Sequence, residues 1–394
     1  MREADIEAAA AVQVEAFGGV LADAIGRYRD GPRYTWRDGW VVELDGEVRA
    51  AAVAIPATWW FRGARHAVSA VAGVAVRAVD RRRGLASRLM RAILQADRAA
   101  GRPFSLLYPF QHGFYRRLGY GSVGLGHFWR LPTAHLPDAP SLRTHVRVLR
   151  PADRPLVGEL FAHAVRTSPA GGLERVAGHW QRRWSQDDRW VVYEDEAGIG
   201  GYVAYRTAAN ALEIREFVAR HPAAERGLWA FVAAQVEQRA AATYLAPVGQ
   251  PLWATLREPY MFEAPTHAFI VGDVAGLTMS FMARGVDWVI ALQGRTYPVA
   301  ARGHLRVELD DPVFGAQAFA LGLADGRATV EAAGAGDGPP LRCTVATFSQ
   351  LYCGALRAGD ARWYGLLDGA DEAVDLLDQA FPSGPPFIHQ FDWF

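Results

Sequence analysis

Residues 81–86 read Arg-Arg-Arg-Gly-Leu-Ala. Guanidinium groups present a fixed fork of donors that matches phosphate oxygens, and a glycine lets the backbone approach an anion closely. The natural ligand of such a stretch is a phosphate or pyrophosphate. What precedes and follows it fixes its setting. Residues 70–76, Ala-Val-Ala-Gly-Val-Ala-Val, read as a buried strand. From Leu85 onward, Leu85, Leu89, Ala92, Ile93 and Ala96 recur on one helical face, with Arg88, Arg91, Gln95 and Arg98 on the other. The arginine–glycine turn therefore links a strand to a helix N-terminus, where unpaired N–H groups and the helix dipole favour an anion. On the arginines alone, a solvated basic turn before an ordinary helix fits equally well.

The next residues add a second chemical group. Residues 103–108 read as a strand, and Phe114-Tyr115-Arg116-Arg117-Leu118-Gly119-Tyr120 as a short helix closing on glycine. Tyr115 then offers a phenol on that helix, and Tyr120 a second one more suited to core packing. Gly119-Tyr120-Gly121-Ser122-Val123-Gly124 matches G-x-G-x-x-G, but it follows a helix and enters a strand. A dinucleotide fingerprint needs the opposite order. The eleven histidines show no metal-ligand spacing, so no metal is expected. There is no G-x-S-x-G elbow, and the chain contains no lysine, which excludes a P-loop, a Schiff base and a pyridoxal phosphate anchor.

The elements that must hold these groups recur. Trp40-Val41-Val42, an acidic turn at Asp45-Gly46 and an apolar run to Ala54 read as a β-hairpin, and Trp190-Val191-Val192 with its acidic-glycine turn and run to Tyr205 reads the same way. A third strand and an Arg-Gly-Leu follow each, at Arg83-Gly84-Leu85 and Arg226-Gly227-Leu228. Two copies of one α/β domain explain the order and spacing. Past Thr278 the character changes. Alternating stretches such as residues 305–309, a Gly/Pro loop at 334–340 and amphipathic helices at 348–356 and 370–381 read as a third, α+β domain. The expected division is 1–135, 136–280 and 281–394.

Whole-chain properties bound the rest. With 394 residues and 51% hydrophobic content, two or three domains with real cores are expected. Forty-two basic and 42 acidic residues give zero net charge, so no general attraction to nucleic acid or a membrane is expected. Cys343 and Cys353 are too few for a disulfide framework. The N-terminus lacks the pattern of a signal peptide, and the longest apolar stretch, 50–61, is broken by Pro56 and is shorter than a bilayer span. The expectation is a soluble cytoplasmic protein with inert thiols.

Strand, Arg81-x-x-Gly84-x-Ala86, helix, strand, then F-Y-x-x-L-G-Y resembles the GCN5-related N-acetyltransferases (GNAT). The tandem repeat, third domain and aromatic end Phe391-Asp392-Trp393-Phe394 are similar to the Eis (enhanced intracellular survival) family along essentially the whole chain. The resemblance implies tandem GNAT domains, each a mixed central sheet flanked by helices, followed by a domain like sterol carrier protein 2. It implies an N-acetyltransferase for primary amines, including aminoglycosides, with acetyl-CoA as co-substrate, and a homo-oligomer, typically a hexamer. Residue by residue, it implies that Val74 and Val76 offer backbone groups to the pantetheine arm. Arg81, Arg82, Arg83, Gly84, Leu85 and Ala86 would hold the pyrophosphate, and Tyr115 would be the general acid beside the thioester sulfur. The α-carboxylate of Phe394 would be the base. Glu225, before the second Arg-Gly-Leu, would repel a pyrophosphate, so the second copy is expected to have lost cofactor binding. For the acceptor, Phe17, Tyr34, Trp36, Trp59 and Trp60 are candidate cleft aromatics, and Asp392 could attract an ammonium group. No acidic set marks an aminoglycoside cleft. Protein lysines or polyamines as acceptors, or a non-catalytic acetyl-CoA sensor or lipid carrier, remain alternatives.

Overall fold

The computed structural model describes residues 1–184, 187–208, 210–258, 274–334 and 338–394. They form two compact units, one of Met1–Gly124, Ser280–Pro385 and Phe394, the other of Leu125–Met279 and Pro386–Trp393.

The first unit contains the arginine turn. Its first sheet is led by the hairpin Gly39–Leu44 and Glu47–Phe61, whose turn places Asp45 and Gly46 both at positive φ, the form that matches strand twist. The long strand Ala64–Val76 pairs antiparallel with Glu47–Phe61 and parallel with Phe104–Leu107. Strand Met282–Gly285 then pairs antiparallel with both Phe104–Leu107 and Gly121–Ser122. The run Ala50 to Ile55 is apolar throughout because both faces are covered. Ala51, Val53 and Ile55 pack under the helices Ile6–Phe17 and Leu21–Asp30, while Ala50, Ala52 and Ala54 face the cluster that includes Leu89, Met90 and Ile93 of helix Leu85–Ala99.

A second sheet in this unit runs in the order Arg327–Ala332, Gln317–Ala324, Gly303–Asp310, Pro340–Thr344 and Leu367–Gly369. Helices Val345–Tyr352, Ala358–Trp363 and Asp371–Ala380 accompany it, the α+β arrangement expected from the sequence. Of the expected loop at 334–340, residues 335–337 lie outside the described residues. Strand Met282–Gly285, read with the third domain in the sequence, is hydrogen-bonded into the first domain's sheet. Its four residues are all buried, including Arg284, whose guanidinium is matched by Asp311 at 2.7 Å.

In the second unit the strand order is Gly276–Met279, Leu125–Pro132, Ala241–Pro247, Ala211–Ala219, Gly198–Ala208, Arg189–Asp195 and Val146–Val148. The hairpin expected at Trp190 is formed by Arg189–Asp195 and Gly198–Ala208. The match between the two Arg-Gly-Leu triplets is not structural. Gly84 is the N-cap of its helix, but Arg226, Gly227 and Leu228 lie inside helix Pro222–Ala233. Gly227 is chosen there for space, since a Cβ would sit 2.6 Å from the Tyr193 ring.

Candidate active site

The first unit opens its sheet like a fork. Parallel pairing holds from Val68 and Phe104 to Val71 and Leu107, after which the long strand continues to Val76 without that neighbour. The cause lies at Gly73. There the register against Glu47–Phe61 shifts, Ala51 facing Ala75 but Val53 facing Ala72, and φ is +60°. This bulge re-aims the strand. Gln13 of helix Ile6–Phe17 locks it, donating from Nε2 to the Gly73 carbonyl at 3.1 Å, where a Cβ would come within 2.4 Å of that nitrogen. Val74 and Val76 follow the bulge.

Below the fork lies the arginine turn. Asp80, 2% exposed, anchors it: Arg83 Nη1 donates to its Oδ1 at 2.6 Å and Arg49 Nη1 reaches its Oδ2 at 3.5 Å. Arg82 and Gly84 both take left-handed φ, +62° and +79°. Left-handed backbone at a non-glycine residue is costly and concentrates at functional turns. Helix Leu85–Ala99 begins without a side-chain cap and without an acidic residue in its first turn. Its first internal bond runs from the Arg88 N–H to the Gly84 carbonyl at 3.0 Å, which leaves the N–H groups of Leu85, Ala86 and Ser87 outside the helical ladder.

A cavity of about 650 Å³ joins these features. Val74, Val76, Arg81, Arg82 and residues 84–87 line it, together with Phe17, Phe110, Gln111, Phe114 and Arg117. The geometry suits an elongated ligand with an anionic end at the uncapped helix and an arm along the fork. Of the three arginines, Arg83 has its charge taken by Asp80, while Arg81 and Arg82 are exposed.

Tyr115 lies on helix His112–Arg116 and is 2% exposed, its ring edge-on to Phe110, Phe114 and Tyr120 at 5.4, 4.9 and 6.0 Å. Burial pushes its hydroxyl well above the usual phenol range, so it stays protonated at neutral pH. Tyr120 is a core residue, fully buried and hydrogen-bonded to Ser105 Oγ at 2.8 Å. The Phe394 ring meets Tyr108, directly after strand Phe104–Leu107, at 5.0 Å, and packs on the cluster under helix Ile6–Phe17.

The other candidates separate. Phe17 is 60% exposed and lines the cavity. Trp36 is half-buried in the short helix Trp36–Asp38, with Arg37 stacked on it at 4.6 Å, and Tyr34 packs edge-on to Tyr28. Trp59 is core: it is fully buried among Phe61, His66, Phe104 and Phe281. Asp392 is neither a solvated turn residue nor a free anion. It is buried in the second unit, and both its oxygens accept hydrogen bonds from Arg175, at 2.6 and 2.8 Å. The sequence reading missed Gln13, Asp80 and Arg175. Only Asp80 left a signal, an acid three residues from Arg83 in a basic run.

Known proteins resemble this chain in sequence and fold. Residues 1–123 and 171–277 match two models described as acetyltransferase (GNAT) domains, and residues 289–389 match a sterol carrier protein domain. An uncharacterized N-acetyltransferase of Streptomyces griseus is 26% identical over 319 residues, which is 73% of this chain and 70% of the relative. A GCN5-related N-acetyltransferase from Kribbella flavida superposes with a TM-score of 0.79 at 26% identity, covering 100% of this chain and 97% of that one. Eis1 from Mycobacterium abscessus shares the fold at a TM-score of 0.79 and 20% identity, over 100% of this chain and 98% of that one. Two GNAT domains, the first with a fork and an uncapped helix start, define an N-acetyltransferase of the GCN5-related type. Its domain order, ending in a sterol-carrier-like domain, and the fold it shares with Eis1 give it an Eis-like architecture. Among the described residues no helix is long and apolar enough to cross a membrane.

Proposed function

We propose that this protein transfers the acetyl group of acetyl-CoA to a primary amine, with the chemistry in the first domain. The observation that carries the reading is the convergence of the fork, Arg81, Arg82 and the uncapped helix start on one cavity. The residues fit acetyl-CoA. The N–H groups at 85–87 and the two arginines suit the pyrophosphate, and the unpaired edge of the strand at Val74 and Val76 suits the amide-bearing pantetheine arm. Bound there, acetyl-CoA supplies an activated acyl thioester.

The chain's own groups then manage two protons. The acceptor nitrogen forms the new C–N bond as the C–S bond breaks. The Phe394 carboxylate accepts the proton leaving nitrogen, directly or through a water. Tyr115, protonated at neutral pH as any phenol is, donates to the departing sulfur, a role that needs its hydroxyl within ~3 Å of that atom. Phe17 and Trp36 are the proposed contacts for the acceptor, and aminoglycosides are proposed among its substrates on the Eis-like architecture. A cytoplasmic setting agrees with two unpaired thiols, Cys343 and Cys353. Hexamer formation is proposed on the resemblance alone.

The test is CoA release with kanamycin, neomycin, spermidine, a lysine peptide and an arylalkylamine as acceptors. Tyr115→Phe and a Phe394 deletion are run beside the wild type. Turnover on aminoglycosides that collapses in both variants is the expected result. Acetyl-CoA binding without turnover on any amine would overturn the enzyme reading in favour of a sensor.

A further inference from the structure

The second unit repeats the fork without the anion site. Its parallel pairing runs from Ala211 and Ala241 to Ile214 and Tyr244, then stops, while one strand continues to Ala219 and the other to Pro247. A bulge again falls at the opening: Ala204 faces Glu216 and Tyr205 faces Ile214, leaving Arg215 extra. The C-terminal segment occupies this second fork. Phe387 and His389 line a remaining cavity of about 250 Å³ together with Phe217 and Ala219 of one limb and Tyr244 and Pro247 of the other.

The segment is held by charge as well as by packing. Arg175, with 1% of its side chain exposed, grips two carboxylates at once. It donates to Asp392 through Nε and Nη2 and to Glu216 through Nη1 and Nη2, at 3.0 and 2.5 Å for the latter. The guanidinium carbon lies 3.6 Å from the centre of the Phe161 ring, and Tyr202 donates to Glu216 at 2.7 Å. Phe391 is fully buried and stacks on Trp190 at 5.6 Å. Asp392 stands two residues before the terminal carboxylate, so fixing it confines that carboxylate to within about 7 Å along the chain.

We propose that the second GNAT domain is a socket for the chain's own C-terminus, with Arg175 and Asp392 as positioning residues for the Phe394 carboxylate. This rests on the reading of Phe394 as the base. Two carboxylates face one guanidinium, so Asp392→Asn leaves a balanced Arg175–Glu216 pair and a foldable protein. A small misplacement of a catalytic group costs up to about a hundredfold in rate.

The experiment pairs kinetics with carboxypeptidase A digestion of the native full-length protein. In Asp392→Asn, kcat for CoA release is expected to fall about tenfold, KM for acetyl-CoA to stay within about twofold, and phenylalanine release to speed up about tenfold. Asp392→Glu, which keeps the charge, is expected to recover most of both; Asp392→Ser carries the loss test should the asparagine variant not fold. Wild-type kcat and wild-type protection in Asp392→Asn would overturn the socket. A Phe394 deletion with unchanged kcat would instead overturn the base reading, and digestion alone would then decide the socket.

Discussion

The two forks share a strand plan and differ in what fills them. In the first, eight residues, 77–84, separate the long strand from its helix; in the second, only Arg220 and His221 do. The short connection has no room for a basic turn. Its helix start is also closed to an anion: His221 accepts the Ala224 N–H, Pro222 has no N–H to offer, and Glu225 sits in the first turn. The sequence reading of a lost cofactor site pointed to Glu225, but the missing loop is the larger difference. A fork is thus only an opening between strands; on the proposed function, the turn beneath it decides whether a cofactor or a piece of the chain itself enters.

The largest test of this asymmetry removes the proposed acid of the first fork. Tyr115→Phe should lower kcat about 10²–10⁴-fold, read as CoA release at saturating acetyl-CoA. Full turnover would break the assignment of chemistry to the first fork. Next in size is Arg175→Met in the second. It leaves Glu216 and Asp392 buried and without their cation, an expected loss of about 3–5 kcal/mol in urea unfolding. A stability loss under about 1 kcal/mol would mean that this fork does not depend on the ion cluster.

The double change Arg81→Ala with Arg82→Ala makes the first turn as poor in charge as the second. KM for acetyl-CoA should rise about 10–100-fold, since each charged hydrogen bond contributes about 1.5–3 kcal/mol, part of it screened at exposed side chains. An unchanged KM would leave the helix N–H groups as sufficient. The smallest effect concerns how each copy handles a buried carboxylate. Glu216 has Arg175, whereas Asp97, 1% exposed, has Arg102 at 3.0 Å with Ser69 and Ser105, and burial still pushes it up to about 6. A carboxyl raised from 3.8 costs stability when ionised, so the cost is absent below about pH 4 and complete above about pH 6. Asp97→Asn should therefore raise Tm by roughly 2 °C at pH 7.5 and by less at pH 4.5, followed by circular dichroism. The same gain at both pH values would remove Asp97 as the titrating group.

What could be read from the sequence was whatever is local. Arg81-x-x-Gly84-x-Ala86 is a contiguous turn between a strand and a helix, so its place in the fold follows from spacing. The hairpins at Trp40 and Trp190 are local in the same way. The forks are not, because they depend on where parallel pairing stops, which no residue type announces apart from Gly73. Arg226-Gly227-Leu228 misled because identical triplets can serve a helix cap or a helix interior. Asp392 misled for the opposite reason: its partner Arg175 is 217 positions away, and no periodicity links them.

Strand Met282–Gly285 fills a place in the first domain's sheet beside Phe104–Leu107. On a ribosome adding about 5–20 residues per second, the 160 residues between Ser122 and Met282 take roughly 8–30 s to emerge. Throughout that interval the nascent first domain carries an open strand edge at Phe104–Leu107, the kind of edge to which other chains add. Synthesis order thus leaves the first GNAT domain waiting for a strand encoded after the whole of the second.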